Sequence, residues 1–297
     1  MSPSERPRRS ALYMPASNPR ALAKAPSLAC DVVILDLEDA VPPEAKSAAR
    51  QSAVEALRGG GFGDREVIVR VNGRSTPWGA DDFAAVAACG PDGVLVPKID
   101  GPADILAADR HLAAAPKRTR LWAMVETSAA VLAIAPIARA ARDGRLTGLV
   151  MGINDLAKET GARQDGDRAP FWAAMSLTVM AARAHGLVAL DGVHNDIDDL
   201  AGLEAACRQA ADFGFDGKSL IHPSHLRICN RAFTPTLEEA AWARAVIAAF
   251  EDPANAGKGA LRVEGRLAER LHLGMARRLV ALSSAPKEME EEAEPPR

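Results

Sequence analysis

Short apolar, β-branched runs alternate along this chain with longer, alanine-rich amphipathic stretches. The runs predict strands at 11–14, 32–35, 66–71, 93–96, 121–125, 148–151, 187–190 and 217–221. They are apolar on both faces, as strands covered on both sides must be. The amphipathic stretches predict helices at 43–57, 81–88, 129–142, 168–185 and 198–213. A β-α-β-α order implies parallel strands joined by crossover helices. Eight such strands have the rhythm of a (β/α)8 TIM barrel, a catalytic domain over 1–232.

The pattern changes after His222. Residues 224–230 can form the eighth helix. Thr234-Pro235-Thr236 is a break followed by an N-cap, and 237–251 is a long amphipathic helix. A turn-rich stretch at 252–259, a short β-like run at 260–263 and a final helix at 267–283 follow. We assign 233–284 to a C-terminal helical arm that packs on the barrel or reaches a neighbouring subunit. The polar, proline-ended segment 285–297 is expected to be a disordered tail. The glycine-rich run 59–63 has the composition of a phosphate cradle. It precedes a strand, however, which puts it at the bottom of the barrel, as a flexible loop.

Composition narrows the partners. The chain has 297 residues, enough for one barrel and an appendage. A formal charge of −3 gives no reason to expect nucleic acid or an acidic membrane. No apolar run is long enough to span a bilayer, and the polar, basic residues 2–10 are followed by no signal-like apolar region. Cys30, Cys89, Cys207 and Cys229 are far apart and form no CxxC pair, so four reduced thiols in a cytoplasmic protein are expected.

The chemistry lies where the strands end, since active sites of such barrels gather at that face. Glu126 and Asp155 follow strands 5 and 6, and adjacent strands are about 5 Å apart, so the two carboxylates can share one cation. All-oxygen ligation favours a hard ion, Mg2+ first and Mn2+ second, with water and substrate oxygens completing the shell. The competing account makes these acids loop caps or salt-bridge partners. Arg70 ends strand 3 and can present fixed donors to a carboxylate or an oxyanion, or pair with Asp36, Glu38 or Asp39. Asp36 and Glu38 are expected to orient Arg70 and Lys46 or to hold metal-bound water. His222 at the end of strand 8 is either an acid/base group or a packing residue. Lys98 after strand 4 is a Schiff-base candidate or a structural residue.

Several motifs then resemble one family. They are Ser10-Ala-Leu-Tyr-Met-Pro-Ala-Ser-Asn18, Asp36-Leu-Glu-Asp-Ala-Val-Pro-Pro-Glu-Ala-Lys46, Val69-Arg-Val-Asn72, Gly152-Ile-Asn-Asp-Leu-Ala157 and Gly217-Lys-Ser-Leu-Ile-His-Pro223. In this order they resemble the citrate lyase β-subunit-like proteins of the HpcH/HpaI aldolase family, which includes malyl-CoA lyases and malyl-CoA thioesterases. The resemblance implies a TIM barrel that assembles as a homotrimer or hexamer, with Mg2+ on Glu126 and Asp155. It implies that Arg70 and Glu126 contact substrate, and that Arg20 and Lys24 bind coenzyme A. Asn154, Asp155, Ile221 and His222 would line the acyl end. The family's acid/base aspartate in a Gly-x-Met-Ile-Asp motif, supplied by an adjacent subunit, corresponds to Glu269 in Gly265-Arg-Leu-Ala-Glu269, one methylene longer.

The activity expected first is therefore Mg2+-dependent carbon–carbon cleavage of a carboxylated 3-hydroxyacyl-CoA, of the malyl-CoA or citramalyl-CoA type, into a 2-oxo acid and an acyl-CoA. Arg70 would stabilise the enolate, and Glu269 would move the methyl proton. The alternatives are hydrolysis of the same thioester, as in a malyl-CoA thioesterase, and a citrate lyase β subunit that needs a carrier partner.

Overall fold

The computed structural model describes residues 6–164 and 166–283. Eight parallel strands close into a barrel in sequence order: β1 (Ser10–Pro15), β2 (Val32–Asp36), β3 (Glu66–Arg70), β4 (Gly93–Val96), β5 (Arg120–Val125), β6 (Leu146–Met151), β7 (Val188–Asp191) and β8 (Gly217–Leu220). β8 pairs with β1, so no strand edge is left open. The fold is the expected TIM barrel, and each predicted strand lies within two residues of an observed one.

The connecting helices are α1 (Pro19–Lys24), α2 (Lys46–Gly59), α3 (Gly79–Cys89), α4 (Pro102–His111), α5 (Ser128–Leu132), α6 (Ile134–Arg139), α7 (Ile153–Thr160), α8 (Trp172–Ala184), α9 (Leu200–Phe213) and α10 (Leu226–Ala232). Helices α1, α4 and α7 are absent from the periodicity-based assignment. Two are at most eight residues long, too short to show a stripe. The glycines at 60, 61 and 63 have φ of 64°, 85° and 58° and link α2 to β3 on the side of the barrel away from the strand ends.

The barrel interior is a packed core of Ala11, Tyr13, Val32, Ile34, Ile68, Leu95, Trp122, Met124, Val150 and Leu190. Trp122 on β5 is fully buried, and the neighbouring strands make room for it. A Cβ on Gly148 of β6 would lie 2.1 Å from the indole, and one on Gly93 of β4 would lie 2.9 Å from it. Both positions need glycine because the indole occupies the space of their side chains. The β5/β6 register shifts between Leu121 and Trp122, where this wedge enters the sheet.

The described residues divide into two compact units, Arg8–Arg231 and a second one made of 232–283 with 6–7. The second unit contains α11 (Leu237–Glu251), β9 (Ala260–Val263), β10 (Arg266–Glu269) and α12 (Arg270–Ser283). Its core is Ala243, Val246, Leu261, Val263, Ala268 and Ala276. Thr236 caps α11 as expected. Its hydroxyl accepts from the Glu239 amide at 3.1 Å, and Glu239 Oε2 accepts from the Thr236 amide at 2.8 Å. The final helix begins later than the predicted 267. Residues 266–269 instead pair antiparallel with β9 across Glu264-Gly265, whose φ values of 47° and 83° form a two-residue hairpin turn. The expected disordered tail at 285–297 lies outside the described residues.

Candidate active site

The strand ends bring three groups of charges to one face of the barrel. The first joins β2 and β3. Asp36 and Arg70 are the last residues of their strands and stand directly opposite in the register. Arg70 Nε donates to Asp36 Oδ1 and Nη2 donates to Oδ2, both at 2.7 Å, a bidentate fork that fixes the guanidinium plane. Its Nη1 lies 2.9 Å from Glu38 Oε2 and 3.3 Å from Asp39 Oδ2. The Glu38 contact is an ion pair without hydrogen-bond alignment, which leaves that buried oxygen without a hydrogen-bond donor. The Arg70 Cζ sits 4.6 Å from the centre of the Tyr13 ring.

Burial opposes the charge on Arg70, but Asp36, Tyr13 and Glu38 together outweigh it, and the guanidinium is held well above its ordinary pKa. Burial pushes the Glu38 carboxyl up to about 8, with Arg70 pulling the other way and Asp39 adding to the rise. Asp36 and Glu38 thus surround Arg70 as expected. Lys46 differs: its Nζ donates to the backbone carbonyls of Leu37 (2.9 Å) and Glu38 (2.7 Å) rather than to carboxylates. It ties down the loop that carries the acids.

The second group joins β4, β5 and β6. Glu126 follows β5 and is fully buried. Its Oε1 accepts from the Lys98 amide at 2.7 Å, and its Oε2 has no hydrogen-bond partner. Asp155 is in the first turn of α7 rather than on the strand, with its side chain one-third exposed. The Lys98 ammonium lies between the two carboxylates, 3.3 Å from Glu126 Oε1 and 2.7 Å from Asp155 Oδ2. Lys98 has φ 53°, a left-handed conformation costing roughly 1–3 kcal/mol in a residue with a side chain, held here by the hydrogen bond its amide donates to Glu126. Burial lowers the tendency of Lys98 to hold its proton, but the Asp155 hydrogen bond and the charge of Glu126 reverse this and raise it. Burial raises the Glu126 carboxyl, with Lys98 opposing.

Gly152 completes the cradle. A Cβ there would lie 2.5 Å from Glu126 Cβ and 2.7 Å from its Oε2, so only glycine leaves the carboxylate its place. A buried carboxylate oxygen lacking a donor, a second carboxylate facing the same point and a positive centre between them fit a hard divalent cation. Among the described residues no cluster of three His, Cys, Asp or Glu side chains could hold a metal, so water and substrate would have to complete its shell.

The third group joins β7 and β8. Asp191 is fully buried, and its Oδ2 accepts from Lys218 Nζ at 2.7 Å and from Arg168 Nη1 at 2.8 Å. Lys218 is itself fully buried and also donates to the Gly192 carbonyl. Burial would raise Asp191, but Lys218 and then Arg168 pull it below the usual carboxylate range.

The remaining predicted residues are more exposed. Arg20 and Lys24 are one helical turn apart on α1, which Asn18 caps by accepting from the Arg20 and Ala21 amides. Asn154 and Asn195 exchange side-chain hydrogen bonds at 3.0 and 2.8 Å. Ile221 is 41% exposed. His222 is exposed and caps the turn after β8, its Nδ1 lying 2.7 Å from Ser224 Oγ. Glu269 is in the second unit, at the exposed end of β10, where its amide donates to His272 Nδ1 at 2.8 Å. Sequence reasoning met Gly152 and Tyr13 only as members of family motifs, without the cradle or the ring contact they provide, and gave Lys98 no place between the acids. The nearest signal was a lysine ending the strand next to the one that ends in Glu126.

Residues 9–223 match the family described as HpcH/HpaI aldolase/citrate lyase. The chain belongs to that family. Over 285 residues it is 45% identical to a (3S)-malyl-CoA thioesterase of Cereibacter sphaeroides, covering 96% of this chain and 98% of the relative. A more distant relative is an L-malyl-CoA/beta-methylmalyl-CoA lyase from the same species, 32% identical over 294 residues, covering 90% and 92%. Among solved structures, the protein CitE of Mycobacterium tuberculosis in complex with magnesium, acetoacetate and coenzyme A superimposes with a TM-score of 0.76. It is 32% identical and covers 94% of this chain and 99% of that one. The thioesterase therefore stands nearer than the lyase, the reverse of the order in which the sequence motifs rank the two activities. No helix among the described residues is long and apolar enough to cross a membrane.

Proposed function

We propose that this chain hydrolyses the thioester bond of a malyl-CoA-type substrate. The observation that carries the reading is the convergence of Glu126 and Asp155 on one positive centre at the barrel mouth, in a chain 45% identical over nearly its full length to a (3S)-malyl-CoA thioesterase. Glu126 and Asp155 would hold Mg2+, with Mn2+ as a substitute, and the ion would supply Lewis-acid polarisation of substrate oxygens.

The protein's own groups account for the rest. Arg70, locked by Asp36, offers a fixed guanidinium edge to an oxygen that gains negative charge as water adds to the thioester carbonyl. Glu38, beside Arg70, is the group we assign to take the proton of the attacking water; with its carboxyl raised to about 8, the ionised form that can accept that proton grows as pH rises toward 8. The new C–O bond forms as the carbonyl π bond opens onto the oxygen beside Arg70; when the C=O re-forms the C–S bond breaks, and the coenzyme A thiolate takes the proton that Glu38 removed from the water. Arg20 and Lys24, one turn apart and exposed on α1, would meet the anionic end of coenzyme A.

The second reading is carbon–carbon cleavage of the same substrate, supported by the lyase relative at 32% identity. In it Arg70 stabilises an enolate, and Glu269 carries the methyl proton. Purified chain incubated with malyl-CoA and Mg2+ separates the two. Free coenzyme A with malate supports hydrolysis. Glyoxylate with acetyl-CoA refutes it in favour of cleavage, and turnover that survives EDTA removes the metal from either mechanism.

A further inference from the structure

Two acids facing one point in a largely buried site repel each other unless a positive charge lies between them, and Lys98 supplies it. Its ammonium is 3.3 Å from Glu126 Oε1 and 2.7 Å from Asp155 Oδ2. The backbone amide of the same residue donates to Glu126 at 2.7 Å, so the root of the side chain is fixed independently of its tip. The tip is not sealed in, since the side chain is 42% exposed. Beside it is a polar cavity lined by Arg74, Ser75, Asp100 and Asp104. Lys98 itself forms part of its wall; the other charged groups there are two carboxylates and one guanidinium, with Arg74 paired to Asp104 at 3.1 Å and Asp100 accepting from the Thr127 hydroxyl at 2.7 Å. With the Lys98 ammonium turned to Glu126 and Asp155, the cavity is left one negative charge in excess.

We propose that Lys98 is a tethered placeholder for the cation. Its ammonium sits between Glu126 and Asp155 when the divalent ion is away, and it moves to the cavity lined by Asp100 and Asp104 when the ion binds. No bond is made or broken; one cation replaces another. The inference rests on the metal reading of Glu126 and Asp155 given above. Two consequences follow. The metal-free protein keeps its mouth intact because the acids are never left unneutralised. The metal binds more weakly than the two acids alone would allow, because it must displace a charge already in place.

The test is a calorimetric titration of Mg2+ into the full-length wild type and into Lys98→Met, with no substrate present. The variant is expected to bind Mg2+ roughly tenfold more tightly, about 1.4 kcal/mol, and its metal-free form to melt at a lower temperature. A second measurement needs no variant: labelling of wild-type lysines with an acylating ester, read by mass spectrometry, should increase at Lys98 when Mg2+ is added. Equal or weaker binding by the variant, or unchanged labelling of Lys98, overturns the placeholder and leaves the metal site standing. No Mg2+ binding by either protein overturns both.

Discussion

Asp191 and Glu126 are both fully buried carboxylates at the ends of barrel strands, and each has a lysine beside it, yet they are in opposite states. Asp191 is saturated: Lys218 and Arg168, both buried, donate to Oδ2, Arg168 also donates to Oδ1 at 3.1 Å, and together they pull the carboxyl below the usual range. Glu126 is unsaturated: its second oxygen has no donor, its lysine is partly exposed, and its carboxyl is pushed up. A buried charge with all its partners present is part of the scaffold. One with a missing partner has been left ready for something else. Proximity of an acid to a base does not tell the two apart; the count of satisfied oxygens does.

The sharpest test of that difference is Asp191→Ala. It strands Lys218 and Arg168 without a counter-charge and should cost about 3–5 kcal/mol of stability, measured as a fall in the urea unfolding midpoint. Loss of activity with unchanged stability would make Asp191 a member of the site instead. Glu126→Gln should do the converse. The amide oxygen can still accept from Lys98, so stability should change by only about 1 kcal/mol, whereas malyl-CoA turnover should drop about a hundredfold or more. Gly152→Ala is expected to reduce turnover by about ten- to a hundredfold, because its Cβ would displace the Glu126 carboxylate. A kinetic assay showing wild-type rates would mean that the cradle has slack.

A further test concerns pH. Folding raises the Glu38 carboxyl to about 8 by burial, so ionising it works against the folded state. Its stabilising contribution is complete below the ordinary glutamate range and is lost as pH rises through about 8. Wild-type stability should therefore decline relative to Glu38→Gln over that interval, as followed by unfolding at several pH values. Parallel curves would place the Glu38 titration elsewhere.

The barrel could be read from the chain because strands buried on both faces leave apolar runs that need no alignment to see. The last helix was misjudged at its start because Glu264-Gly265 is a hairpin turn, and hairpin strands as short as β9 and β10 carry little alternation. Asp155 was expected at a strand end and is in the first turn of α7, a helix too short to announce itself. Glu126, Asp155 and Arg70 were singled out by charge following an apolar run. The position of Lys98 cannot be read from the chain, because it depends on the ends of β4 and β5 and the first turn of α7 meeting in space. Lys46 was misassigned because bonds to backbone carbonyls leave no mark in side-chain composition.

Trp122 has a consequence for traffic through the molecule. Its indole fills the middle of the cylinder so completely that two flanking strands carry glycine to receive it. Among the described residues the interior of the barrel is filled with side chains, a packed core rather than a pore. Whatever arrives at the acids above must back out through the doorway by which it came, and a spent fragment that lingers there obstructs the next arrival.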